Sequence, residues 1–134
     1  NITGLELECA VLGNNDVKAS AIGQVLAAAE FYDYDAKYNN KESKTVIPAP
    51  ISEDKANEIR EKAVKIFKAL DGRGLSRVDF FMEEGTNRIV FNEINTLPGF
   101  TPISMYPMLF NEVGIPTEEL VEKIIELGFT RNED

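Results

Sequence analysis

Residues 77–104 read RVDFFMEEGTNRIVFNEINTLPGFTPIS, and this stretch decides the fold. Two apolar, β-branched and aromatic runs flank the turn-forming Glu84-Gly85-Thr86-Asn87, the pattern of a β-hairpin. Its charges sit in unusual places. Asp79 lies inside the first apolar run, and Glu93-Ile94-Asn95 closes the second. A sheet that faces a core gains nothing by burying a carboxylate without a partner. Side chains two apart on a strand share a face, so Arg77 goes with Asp79 and Glu93 with Asn95. Three oxygen-bearing side chains on adjacent strands suit a hard cation such as Mg²⁺, which takes few protein ligands and leaves places for phosphate and water.

Register decides whether those side chains meet. Facing residues of an antiparallel hairpin have numbers of constant sum. A two-residue loop at Gly85-Thr86 pairs Asp79 with Asn92 and sends Glu93 to the opposite face. A three-residue loop, Gly85-Thr86-Asn87, pairs Asp79 with Glu93 and Arg77 with Asn95, and a five-residue loop gives the same sum. Such loops are common, and Gly and Asn tolerate the positive φ they use. The expectation is the even register, with Asp79 and Glu93 on one face and Asn95 joining from the strand end. Two carboxylates so placed repel unless a cation or proton intervenes.

Composition narrows the function. The 134 residues carry a formal net charge of −9, with no His and no Trp. This length makes one domain or part of one. Phosphates repel so acidic a chain, which excludes nucleic acid and the membrane surface as partners. Cys9 is the only cysteine, so no internal disulfide can form, which suits a cytoplasmic protein; its expected place is a strand interior. No run is long and apolar enough to span a bilayer. The chain begins without Met and enters a strand almost at once, which reads as a fragment lacking its upstream part.

Along the chain, Leu5, Leu7, Cys9 and Val11 alternate with Glu6, Glu8, Ala10 and Leu12, the period of a strand with one apolar face. Asn14-Asn15-Asp16 is a turn, and 17–25 returns as a second strand, with Gly23 marking a bulge. Phe31 to Lys44 is a polar, mixed-charge surface loop with aromatics at its entrance. Ser52 caps a helix whose apolar stripe is Ala56, Ile59, Ala63, Ile66, Phe67 and Leu70 and which Gly72 ends. After the hairpin, two prolines and Gly99 make a rigid loop, and Ser104 caps a helix that stops at Gly114. A helix N-terminus is a ready anion site. The last helix begins at Ile115-Pro116-Thr117, turns Leu120, Ile124 and Leu127 inward, and stops at Gly128.

R-V-D followed by N-E-I-N-T-x-P-G-F-T-x-x-S, with F-Y-D-Y-D-A-K-Y upstream and S-M-Y-P downstream, resembles the C-terminal segment of the D-alanine–D-alanine ligases, which are ATP-grasp enzymes. The resemblance covers nearly the whole chain. It implies an α+β fold, the C-terminal half of an ATP-grasp fold, as a mainly antiparallel sheet with helices packed on one side. Residues 1–134 would be a C-terminal subdomain, with the N-terminal domain and most of the central lid absent. The implied activity is ATP-dependent formation of the D-Ala-D-Ala dipeptide for peptidoglycan through an acyl phosphate.

The resemblance also implies roles. Asp79, Glu93 and Asn95 would hold Mg²⁺, two ions with Mn²⁺ able to replace them. Glu6 would meet the ribose of ATP, Phe31 its adenine and Lys37 its phosphates. Tyr38 would seal the closed loop. Arg77 and a backbone N–H at Gly99 would stabilise the oxyanion, and Ser104 would bind the carboxylate of the second D-alanine. Partners would be D-alanine, the missing N-terminal part of the same enzyme and, in the full-length enzyme, a second copy. Alternatives are a D-alanine–D-lactate ligase, another ATP-grasp carboxylate-amine ligase, or a non-catalytic divalent-cation module. YDAKY, with Tyr38 in place, resembles the dipeptide-forming type.

Overall fold

The computed structural model describes residues 4–26, 45–100 and 104–130. Five strands make one antiparallel sheet: β1 (Gly4–Gly13), β2 (Lys18–Val25), β3 (Thr45–Val46), β4 (Gly74–Glu83) and β5 (Ile89–Asn95), in the order β3-β2-β1-β4-β5. The described helices are α1 (Glu53–Ala69), α2 (Met105–Glu112) and α3 (Thr117–Thr130). Phe31, Lys37 and Tyr38, and the loop expected from Phe31 to Lys44, lie outside the described residues.

The antiparallel sheet is as expected, but helices cover both of its faces rather than one. Leu7, Cys9 and Val11 of β1 join Val78 and Phe80 of β4 and pack under Ile59, Ala63 and Phe67 of α1. The alternate residues Ala10 and Leu12 pack on the other face with Met105, Tyr106, Leu109 and Phe110 of α2 and Leu120 of α3. The alternation in β1 is therefore polar only at Glu6 and Glu8. From Cys9 onward both faces are apolar and both are buried. Tyr106 fixes α2 to the sheet, its hydroxyl donating to the Val11 carbonyl at 2.8 Å.

Three glycines take different parts from those the sequence suggests. Gly23 is not at the irregularity of β2, which falls opposite the stretch between Cys9 and Val11; there Ser20 Oγ accepts from the Ala10 N–H at 2.9 Å. Gly23 instead lets α2 approach: a Cβ on it would sit 2.8 Å from Leu109 Cδ2 and from Met105 Sδ. After α1, Asp71 takes the positive φ of 55°. Gly72 is needed for space, because a Cβ there would lie 2.4 Å from the buried Phe67 ring. Leu70, placed in the apolar stripe by its spacing, is the C-cap and is exposed. Gly128 does not stop α3, which runs on to Thr130. Asn14, in the β1–β2 turn, donates to the Leu127 carbonyl at 3.1 Å and to Thr130 Oγ1 at 3.3 Å. These contacts tether the end of α3 beyond Gly128, where a glycine costs a helix only about 1 kcal/mol relative to alanine.

α1 begins as expected: Ser52 Oγ accepts from the Lys55 N–H at 3.2 Å, and Glu53 and Asp54 occupy the first turn, where carboxylates complement the helix dipole. α2 ends at Glu112 with Val113 as its C-cap, and Gly114 follows with a φ of 92°.

Candidate functional site

The hairpin β4–β5 carries the charges singled out above, and its register holds a correction. The turn is neither three nor five residues long. Glu83 N–H donates to the Arg88 carbonyl at 2.8 Å and encloses four residues, Glu84 to Asn87. Gly85 (φ 91°) and Asn87 (φ 57°) supply its left-handed positions. This loop sets the odd register, so that Met82 faces Ile89, Phe81 faces Val90 and Phe80 faces Phe91. Continued regularly, it would pair Asp79 with Asn92 and turn Glu93 away. A bulge between Asp79 and Phe80 prevents this: Asn92 is the extra residue, and beyond it Asp79 faces Glu93 and Arg77 faces Asn95. The expected pairing at the site is present, reached by a bulge rather than by loop length.

The neighbouring strand completes the site. Glu8 of β1 stands opposite Asp79, and Ala10 opposite Arg77. α2 and α3 take up the part of this face around Ala10, Leu12 and Val25. Elsewhere on the face a depression of about 260 Å³ is lined by Glu6, Glu8, Arg77, Asp79, Asn92 and Glu93. Four carboxylates thus meet one guanidinium.

Arg77 binds Asp79 with two parallel hydrogen bonds, Nε to Oδ1 at 2.9 Å and Nη2 to Oδ2 at 3.0 Å. Its Nε also lies 3.1 Å from Glu8 Oε1. Asp79 is only 7% exposed, so the bidentate pair answers the question of its buried charge. Its hydrogen bond to Asp79, above all, raises the Arg77 pKa further. Glu8 is the residue the sequence reading passed over. Burial, with Asp79 adding to it, pushes its carboxyl up from 4.5 to about 7, although Arg77 pulls the other way. The signal available was the change along one strand face, from Glu6 and Glu8 to Ala10 and Leu12.

The other expected residues divide into groups. Glu6 lines the same depression and is exposed. Asn95 stands opposite Arg77, but its Oδ1 accepts from the Leu97 N–H at 3.0 Å. Gly99 and Ser104 come together: a Cβ on Gly99 would lie 3.0 Å from Ser104 Oγ. Ser104 holds the N-cap position of α2 with an extended backbone, yet its hydroxyl does not cap the helix.

Among the described residues, no three His, Cys, Asp or Glu side chains converge as a ready metal cage. Asp79 spends both oxygens on Arg77, and Asn95 bonds its own loop. The donor set nonetheless fits Mg²⁺. It is all hard oxygen, its carboxylates Asp79 and Glu93 line one depression with Glu6 and Glu8, and these carry more negative charge than one guanidinium balances. An ion that keeps several waters and phosphate oxygens needs few protein ligands.

The antiparallel sheet thus carries an acidic, arginine-bearing depression on the face that α2 and α3 cover elsewhere. A family model described as D-ala D-ala ligase C-terminus matches residues 1–126, and the chain belongs to that family. Curated relatives named D-alanine–D-alanine ligase include that of Acetivibrio thermocellus, 55% identical over 133 residues, covering 99% of this chain and 35% of the relative. That of Ruminiclostridium cellulolyticum is 57% identical over 135 residues, covering 99% of this chain and 36% of the relative. Among solved structures, the D-alanine-D-alanine ligase of Coxiella burnetii aligns with a TM-score of 0.83 at 37% identity, covering 98% of this chain and 33% of that one. The VanG D-Ala:D-Ser ligase of Enterococcus faecalis aligns at 0.80 and 38%, covering 95% of this chain and 37% of that one. The chain therefore spans about a third of the length of the relatives it matches. Among the described residues, no helix is long and apolar enough to cross a membrane.

Proposed function

We propose that residues 1–134 are the C-terminal ATP-grasp subdomain of a longer cytoplasmic ligase that joins two D-alanines at the expense of ATP, for peptidoglycan. The observation that carries this reading is the pairing of Asp79 with Glu93 and Arg77 with Asn95, in a chain of the D-ala D-ala ligase C-terminal family. The curated relatives at 55% and 57% identity are named for D-alanine, which supports D-alanine as second substrate.

Both chemical steps gather negative charge: the attack of a carboxylate on the γ-phosphate, and the attack of an amine on the acyl phosphate. Positioning and electrostatic stabilisation are therefore what the site must supply. Asp79, Glu93 and Asn95 would hold Mg²⁺, which when bound neutralises phosphate charge. Arg77, fixed in the depression, faces the developing oxyanion together with the Gly99 N–H. Ser104, beside Gly99 at the start of α2, takes the carboxylate of the second D-alanine, and Glu6 at the open rim takes the ribose. Phe31, Lys37 and Tyr38 complete the reading as the adenine contact, the phosphate contact and the closing residue. The upstream part of the same enzyme supplies the first D-alanine site and the lid.

The test is phosphate release by the full-length ligase with ATP, Mg²⁺ and D-alanine. Asp79→Asn and Glu93→Gln should each lower kcat by about two to three orders of magnitude, with the fold retained by circular dichroism. Activity within a few-fold of the parent would remove the site. Cation binding that is equally tight with and without nucleotide would favour a plain cation module.

A further inference from the structure

We propose that Glu8 is a positioning residue for Arg77: it keeps the guanidinium in place when a cation draws the Asp79 carboxylate away. The inference rests on the reading of Arg77 and Asp79 given above. In the structure Arg77 has two anionic partners. Asp79 takes Nε and Nη2, and Glu8 approaches the same Nε at 3.1 Å. All three side chains are largely enclosed.

A divalent cation shared by the Asp79 oxygens would draw off part of the negative charge that now holds the guanidinium, and its own charge would repel Arg77. An arginine with no second partner would swing out to water, and its directional donors would be lost to the reaction. Glu8 prevents that from a separate strand. It stands directly across from Asp79, and the small Ala10 opposite Arg77 lets the guanidinium lean diagonally toward it. The partner that remains is already in contact, so Arg77 need not move far. A burial of carboxylate that the fold does not require is typical of a functional position.

The experiment uses the full-length ligase. Glu8→Ala should lower kcat about ten- to a hundredfold, the range expected for a displaced catalytic group, and leave the KM for ATP within about twofold. Glu8→Gln, which keeps an oxygen to accept the Nε–H, should recover much of the loss. In an Arg77→Ala background Glu8→Ala should add nothing, because a residue acting through Arg77 has nothing left to hold. A second readout does not depend on turnover. The ¹⁵Nε resonance of Arg77, assigned by its disappearance in Arg77→Lys, should stay sharp in the parent with Mg²⁺ and a non-hydrolysable ATP analogue. It should broaden or vanish in Glu8→Ala, or in part in Glu8→Gln should the alanine variant not fold. Additive losses, or an Arg77 resonance indifferent to Glu8, overturn the proposal. A parent without ATP-dependent ligation would instead overturn the functional reading, and the resonance would still decide the role of Glu8.

Discussion

Replacing Glu8 by glutamine should make the 134-residue chain more stable at pH 8 and leave its stability unchanged at pH 4. The side chain is 13% exposed, and its carboxyl is pushed from 4.5 to about 7. A folded state that holds the proton more tightly than the unfolded chain is favoured while the proton is on. This contribution is therefore fully present below pH 4.5 and is lost as pH rises through 7. At about 1.4 kcal/mol for each tenfold change in proton affinity, the ionised carboxylate costs about 3 kcal/mol relative to an unshifted one. Arg77 is already counted in that balance, since it pulls the value down while burial and Asp79 push it up. Glutamine matches glutamate in size and carries no charge, so it removes the cost without opening a cavity. The assay is urea denaturation of parent and variant in EDTA, from pH 4 to 8, followed by circular dichroism. The gap in unfolding free energy should open between pH 5 and 8 and approach about 3 kcal/mol. A gap of zero at pH 8, or one independent of pH, would refute the reasoning; the ion pair with Arg77 would then outweigh burial.

Other outcomes follow from single contacts. Tyr106→Phe removes the buried hydrogen bond to the Val11 carbonyl and should cost about 1–2 kcal/mol, read from the shift in urea midpoint. Gly72→Ala meets the fully buried Phe67 ring at 2.4 Å and should cost about 1–3 kcal/mol; Gly85→Ala, with open space but φ 91°, should cost about 1–2 kcal/mol from backbone strain alone. In the full-length enzyme Arg77→Ala should lower kcat more than it raises the KM for ATP, by about two to three orders of magnitude; steady-state kinetics in which only the KM changed would make Arg77 a phosphate-positioning residue.

What could be read from the chain depended on how far apart the interacting residues lie. The helix starts were legible because a cap is local: Ser52 and its acidic first turn lie within a few residues of each other. Helix ends were less so. Gly128 looks like a stop until Asn14, from the far end of the chain, is seen to hold Leu127 and Thr130. The second layer of helices was half visible, since Ala10 and Leu12 are apolar where a solvent face should be polar. Phe31, Lys37 and Tyr38, where the sequence is most motif-like, fall outside the described residues.

The hairpin separates two kinds of knowledge. That Asp79 and Glu93 face each other follows from charge: only a shared partner makes carboxylates sensible in both runs. How they come to face each other does not follow from charge. Turn chemistry allowed several loop lengths, and the four-residue loop that forms gives the wrong parity. Parity is restored at Asn92. On the turn side of the bulge, Phe91 meets Phe80 edge to face at 6.2 Å, on the sheet face that α1 covers. On the other side, Glu93 turns to the depression. The bulge thus lets β5 turn Glu93 to the site while Ile89 and Ile94, on either side of it, still pack toward α1. Glu8 was missed for the related reason that its meaning lies wholly across the β1–β4 register. Within its own strand it is one of two acids alternating with leucines. Only opposite Asp79, within reach of Arg77, does it become the carboxylate that the fold buries at a cost and that the site can use.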